Sequence, residues 1–214
     1  MVISRLKELS VEEVANSLTH GFGLLLSIAG LVSLLLIAAF NGGFWQITSS
    51  IIYGASLVTL YGASTLYHST VSLELKRKLQ VLDHCCIYLL IAGSYTPFAL
   101  LLFRESFGFW LLAFVWSFAV FGIAMNLIFR NRYSVVSVIS YLAMGWIGVF
   151  VVQPMYSALG LLPLMLVVGG GIAYSLGIVF FAWHRIRHHH AIFHIFVLVG
   201  SVIHFFAITV YVLR

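Results

Sequence analysis

Charge is what this chain lacks most. Of its 214 residues only 8% are Asp, Glu, Lys or Arg, where an ordinary soluble domain carries roughly 25%. Cysteine is nearly absent, and Cys85 and Cys86 are adjacent, so a disulfide framework is excluded and both are expected to be reduced thiols packed as small hydrophobes. Proline occurs three times, which leaves long stretches free to stay helical. No apolar run of signal-peptide form stands near the start, where Arg5, Lys7, Glu8, Glu12 and Glu13 interrupt the segment, and no cleavable leader is expected. Gly169-Gly170-Gly171 follows no strand and precedes no Lys-Ser or Lys-Thr, so it is read as close helix contact and not as a phosphate loop.

What remains is 62% hydrophobic with a mean hydropathy of +1.10. A soluble fold of this length cannot hide so much apolar surface, so lipid is the expected solvent. The expected fold class is all-α, one integral membrane bundle of seven transmembrane helices over residues 1–214. Windows of about 20 apolar residues fall at 21–40, 46–68, 82–103, 107–129, 134–153, 159–183 and 190–212. Breaks are expected at Asn41-Gly42-Gly43, Glu74 to Lys78, Arg104-Glu105-Ser106, Arg130-Asn131-Arg132, Gln153-Pro154, Gly160 to Pro163 and His184 to His189. Residues 1–20 read as a separate short interfacial helix, with Ser10-Val11-Glu12-Glu13 as a capping box in which Glu13 reaches back to the cap.

The formal net charge of +5 is explained by topology and implies no nucleic-acid partner. With the N-terminus inside, the cytoplasmic segments hold Arg5, Lys7, Lys76, Arg77, Lys78, Arg130, Arg132, Arg185 and Arg187. The other side holds Arg104 and Arg214. This bias predicts a cytoplasmic N-terminus and an outside C-terminus.

On that topology polar residues gather at one membrane face. His68 closes the second apolar run, Asp83 opens the third, and His190 and His194 open the seventh. Residues four apart share a helix face, so His190 and His194 can chelate one ion, and His68 completes a set of three imidazoles. Three protein ligands leave a fourth zinc position for water or substrate. Asp83 then suits a water-holding base, and Ser64, one turn before His68, suits a hydrogen-bond donor to developing charge. The plainer reading is open too: buried packing histidines, and for His188 and His189 a solvated basic loop. Asn16 and His20 are divided between lining the site's mouth and capping or packing, His84 reads as structural, and His204 is too deep to share the ion, at about 15 Å past His194.

Three segments, Ser64-Thr-Leu-Tyr-His68, Leu82-Asp83-His84 through Pro97, and His190-Ala-Ile-Phe-His194 with His204, resemble the progestin and adiponectin receptor (PAQR) family, most closely its bacterial hemolysin-III-like branch. The stretch from Glu13 through Asn16 to His20-Gly21 resembles the same branch. The resemblance covers essentially the whole chain and extends to a superfamily with alkaline ceramidases. It implies zinc on His68, His190 and His194, catalytic roles for Asp83 and Ser64, membrane lipids as partners, a lipid or fatty-acyl substrate or product, and a place in the bacterial inner (plasma) membrane. The functions it brings into view are a zinc-dependent hydrolase of a lipid amide or ester, a non-enzymatic membrane protein with structural zinc involved in lipid sensing or membrane homeostasis, and a pore-forming cytolysin. The chain lacks the long soluble N-terminal region of the eukaryotic receptors, which argues against an adipokine-receptor role.

Overall fold

The computed structural model describes residues 10–129 and 134–213, and among these it holds eight α-helices and no strand. They are α1 (Val11–Asn41), α2 (Phe44–Ser69), α3 (Leu73–Pro97), α4 (Gly108–Phe129), α5 (Ser134–Gly145), α6 (Val152–Leu159), α7 (Leu161–Ala182) and α8 (His189–Tyr211).

Helix α1 starts where the sequence says it should. The Ser10 hydroxyl accepts from the Glu13 amide at 3.2 Å. It does not stop near residue 20, however. No breaker intervenes before Gly42, so the expected separate N-terminal helix and first span are one rod, about 46 Å long at 1.5 Å per residue. Residues 1–9 lie outside the described residues. A rod this long exceeds a hydrocarbon core of about 30 Å.

Helix α3 also starts earlier than expected. Ser72 caps it, and Lys78 pairs with Glu74 at 2.7 Å across one turn, so the run read as a loop is helical. Asp83 therefore does not open a helix; it sits ten residues in, about 15 Å from the start. The fifth apolar window runs past Gln153-Pro154, because Pro154 falls in the first turn of α6, where its missing N–H costs nothing. A 3-10 turn, Trp146–Val151, joins α5 to α6, and the chain breaks at Gly160, whose φ of 81° suits glycine.

Six helical stretches are long and apolar enough to cross a membrane: Val11–Phe40, Leu73–Leu102, Gly108–Phe129, Val135–Leu159, Leu161–Ala182 and His189–Tyr211. Helix α2 is as long as these and carries no charged residue, but its buried face is polar, with Ser49, Ser50, Ser56, Ser64 and His68. It lies between α1 and α3, while α8 packs on α1 and α7, and α5 reaches α3, α4 and α7. The outer surface is apolar, with Phe40, Trp110 and Phe150 each at least 80% exposed, while hydroxyls and imidazoles are turned inward. This inverted distribution is that of an integral membrane bundle.

Of the three consecutive glycines only the middle one is held to that size. A Cβ on Gly170 would collide with the His204 ring of α8. Gly170→Leu is expected to lower the thermal midpoint in detergent, through an over-packing cost of about 1–3 kcal/mol. Gly169→Leu, with open space around it, should leave the midpoint near that of the parent.

Candidate metal centre

Antiparallel neighbours bring the end of α2 to the starts of α1 and α8. His68, in the last turn of α2, is 2% exposed, and His194, in the second turn of α8, is 1% exposed. The ring centroids of His68 lie 5.0 Å from His190 and 4.9 Å from His194, and those of His190 and His194 lie 4.6 Å apart. One ring nitrogen from each falls within 4.8 Å of the others, so the three can hold a metal ion. Tetrahedral zinc with Zn–N near 2.0–2.1 Å needs nitrogens about 3.3 Å apart. Small rotations of the rings reach that.

The outer nitrogens explain why the inner ones are available. His68 Nδ1–H donates to Glu13 Oε2 at 2.7 Å, and Asn16 Nδ2 stands 3.4 Å from the same nitrogen. Glu13 Oε1 accepts from Lys76 Nζ at 3.0 Å, so one carboxylate ties α1 to α2 and α3. With Nδ1 protonated, Nε2 of His68 carries the lone pair, and that atom is buried with no partner in the protein. His194 repeats the arrangement. Its Nδ1–H donates to the Asn16 carbonyl and to Thr19 Oγ1, both at 3.3 Å, while the Thr19 hydroxyl donates to the Ala15 and Asn16 carbonyls. The buried orphan nitrogen and the all-imidazole donor set both fit a borderline divalent cation such as zinc.

Asp83 and Ser64 are near each other in the wall of a cavity of about 220 Å³. On the same scale one enclosed water needs roughly 10–15 Å³. His20, His190 and His194 line one end of this cavity. From there it follows α8 to His204, about 21 Å at 1.5 Å per residue, between walls such as Leu90, Phe98, Val151 and Met155. Among the described residues Asp83 makes no hydrogen bond to the three imidazoles; its side chain is buried in the cavity wall.

The remaining polar residues separate cleanly. His204 Nε2–H donates to the Val167 carbonyl, 2.9 Å away, and the residue lines the far cavity. Cys85 and Cys86 are buried free thiols. His188 and His189 are not a solvated loop: both are partly buried, His188 takes a left-handed φ of 58° as the cap of α8, and His189 faces Glu12 at 3.9 Å. Arg130 and Arg132 lie outside the described residues.

Glu13 and Thr19 were missed by sequence reasoning, Glu13 because the capping pattern offered it a local role that it does not play. The signal was present: Glu13, Asn16 and His20 recur at i, i+3 and i+7, one polar stripe on a rod otherwise apolar. Removing such an orienting partner typically weakens a metal site 10–100-fold. Glu13→Ala is expected to weaken zinc binding by about that factor, read by competition against a chelator of known affinity, with helix content by circular dichroism unchanged.

Comparison with known proteins identifies the family. The model of the family described as "Haemolysin-III related" matches residues 10–205. The chain is 45% identical over 203 residues to the "Hemolysin-3 homolog" of Bacillus subtilis (strain 168), covering 95% of each chain. It is 40% identical over 211 residues to "Hemolysin-3" of Bacillus cereus, covering 99% of this chain and 96% of the relative. The human "Monocyte to macrophage differentiation factor" is 33% identical over 218 residues, covering 98% of this chain and 88% of its own length. Motif, membrane bundle and full-length similarity agree, and the chain belongs to the haemolysin-III related family of membrane proteins.

Proposed function

We propose that this chain is a zinc-dependent hydrolase of a lipid amide or ester, with its metal on His68, His190 and His194. One observation carries the reading. Three imidazoles from two distant helices converge, and two of them, His190 and His194, line one end of a cavity whose walls are mostly apolar. A lipid with one acyl chain would lay its tail along Leu90, Phe98 and Met155 and leave its amide or ester beside Asp83 and Ser64. Zinc there would polarise the carbonyl and acidify a water. Asp83 would accept that water's proton and pass it to the leaving amine or alcohol, and the buried Ser64 hydroxyl beside it would donate to the developing oxyanion. The products are a free fatty acid and the released amine or alcohol.

A second reading keeps the zinc and drops the chemistry. The Glu13 carboxylate already links α1, α2 and α3, and an ion would add α8, a junction suited to holding the bundle together in a lipid-sensing protein. A pore reading is weaker, because the cavity's walls are mostly apolar.

The proposal includes seven spans, with α2 among them, a cytoplasmic N-terminus, an outside C-terminus and a place in the bacterial inner membrane. The described basic residues support this orientation: Lys76, Arg77, Lys78, Arg185 and Arg187 stand at the histidine end and Arg104 at the other. Reporter fusions after Arg214 should be active outside the cell and fusions at 130–132 active inside; the reverse pattern would overturn the orientation.

Purified protein is expected to contain one zinc per chain and to release fatty acid from a short-chain fluorescent ceramide or an analogous ester. His194→Ala should abolish release and lose the zinc. Asp83→Asn should keep the zinc and turn over about 10²–10⁴-fold more slowly, the usual range for a lost general base. Zinc with no turnover in the parent, and a lower melting temperature after chelation, would favour the structural reading.

A further inference from the structure

Beside the three imidazoles stands a fourth that does not belong to the ligand set. His20, on α1, is 3% exposed, and both its ring nitrogens are buried without a hydrogen-bond partner in the protein. Its ring is fixed on both sides. It stacks on His194 with centroids 3.5 Å apart and planes at 16°, and the Tyr61 ring meets it edge-on at 5.0 Å. The polar groups around it are committed elsewhere. The Tyr61 hydroxyl donates to Ser201 at 2.8 Å, and the Thr19 hydroxyl serves backbone carbonyls of its own helix. A polar side chain enclosed in a membrane bundle is strongly disfavoured unless something satisfies it. A group held in the cavity can therefore pair with His20.

The cavity is where it can come from. His20 lines it together with Ser64, Asp83, His190 and His194, and the walls beyond are mostly apolar. A neutral imidazole offers one N–H donor and one acceptor. We infer that His20 binds the acyl oxygen of the cavity's ligand, donating its N–H to the carbonyl or carboxylate that sits against the metal centre. It is thus a substrate-positioning contact and not a metal ligand. Stacking on His194 gives this contact a fixed position relative to the ion, and the polar end of a fatty-acyl ligand is anchored from two sides. This inference rests on the metal reading above, and it deepens that reading by naming the residue that recognises the acyl head.

The test separates the two. The protein is loaded with Co²⁺ in place of zinc and titrated with oleate, which binds whether or not hydrolysis occurs; the cobalt visible spectrum reports both metal and ligand. His20→Phe keeps the ring stack but removes the donor. It should take up cobalt as the parent does and bind oleate about tenfold more weakly, the worth of one buried hydrogen bond. His20→Gln, which restores a donor, should recover part of that loss. Oleate binding by the Phe variant equal to the parent's overturns the inference, and so does loss of cobalt, which would make His20 a ligand. A parent that binds no cobalt overturns the metal reading and this inference with it. Should the Phe variant not fold, the near-isosteric pair His20→Asn and His20→Leu gives the same readout: tighter oleate binding by Asn supports the contact, and equal binding overturns it.

Discussion

An imidazole inside a low-dielectric bundle can offer a lone pair inward only if its other nitrogen is satisfied outward. The 2.7 Å contact between His68 Nδ1 and Glu13 is that condition in its strongest form here. A charge-assisted hydrogen bond of this length fixes the ring's tautomer and its rotation together. The same carboxylate accepts from Lys76, so the contact is also a tertiary joint between α1, α2 and the start of α3. His194 reaches the same state with neutral partners, the Asn16 carbonyl and Thr19. The first three turns of α1 are thus the outer wall of the histidine cluster, which is why they continue the transmembrane rod instead of lying apart at the membrane surface.

The cluster itself was legible because its signals are local and periodic. Two histidines four apart share a face by helix geometry alone, and His68 ends an apolar run that any hydropathy reading finds. Glu13 was not legible for the opposite reason. Its partner is 55 residues away, and the pattern Ser10-x-x-Glu13 supplies a sufficient local explanation for both residues. Only the half that uses the backbone amide is realised. A side chain with a choice between an exposed backbone N–H and a buried imidazole takes the second, because there water does not compete for it.

The helix boundaries show a similar competition. A run such as Glu74-Leu-Lys-Arg-Lys78 reads as a loop when the only question is where lipid ends. Charge ends a membrane span, but it does not end a helix; Ser72 and the Glu74–Lys78 pair support helix there as they would in water. Hydropathy therefore marks where lipid contact stops, and capping marks where the helix stops. In α3 the apolar window opens at residue 82 and the helix nine residues earlier, at Leu73, so Asp83 lies inside the helix and not at its start. Gly160 escapes the ambiguity because a positive φ interrupts the backbone itself.

Helix α2 brings these threads together. It reads as an apolar run in the sequence but is not among the six stretches long and apolar enough to cross a membrane, and it is also the helix that supplies both His68 and Ser64. The two facts have one cause. Lipid-facing surface can be uniformly apolar, as the outer faces of α4 and α7 are, but a polar site inside a bundle needs a helix whose polar side chains all point inward. Such a helix must be shielded by neighbours, and α1 and α3 pack along it. The buried polar side chains of α2 run along its length, from Ser49 and Ser50 near its start to Ser64 and His68 near its end, and the walls of the cavity beside it are mostly apolar. In the function proposed above, a cavity with His20, Asp83, His190 and His194 at one end and mostly apolar walls beyond would favour an acyl chain lying with its oxygen at the imidazoles. The direction of binding in that proposal would be set by the same inward-facing residues that hold the histidines together.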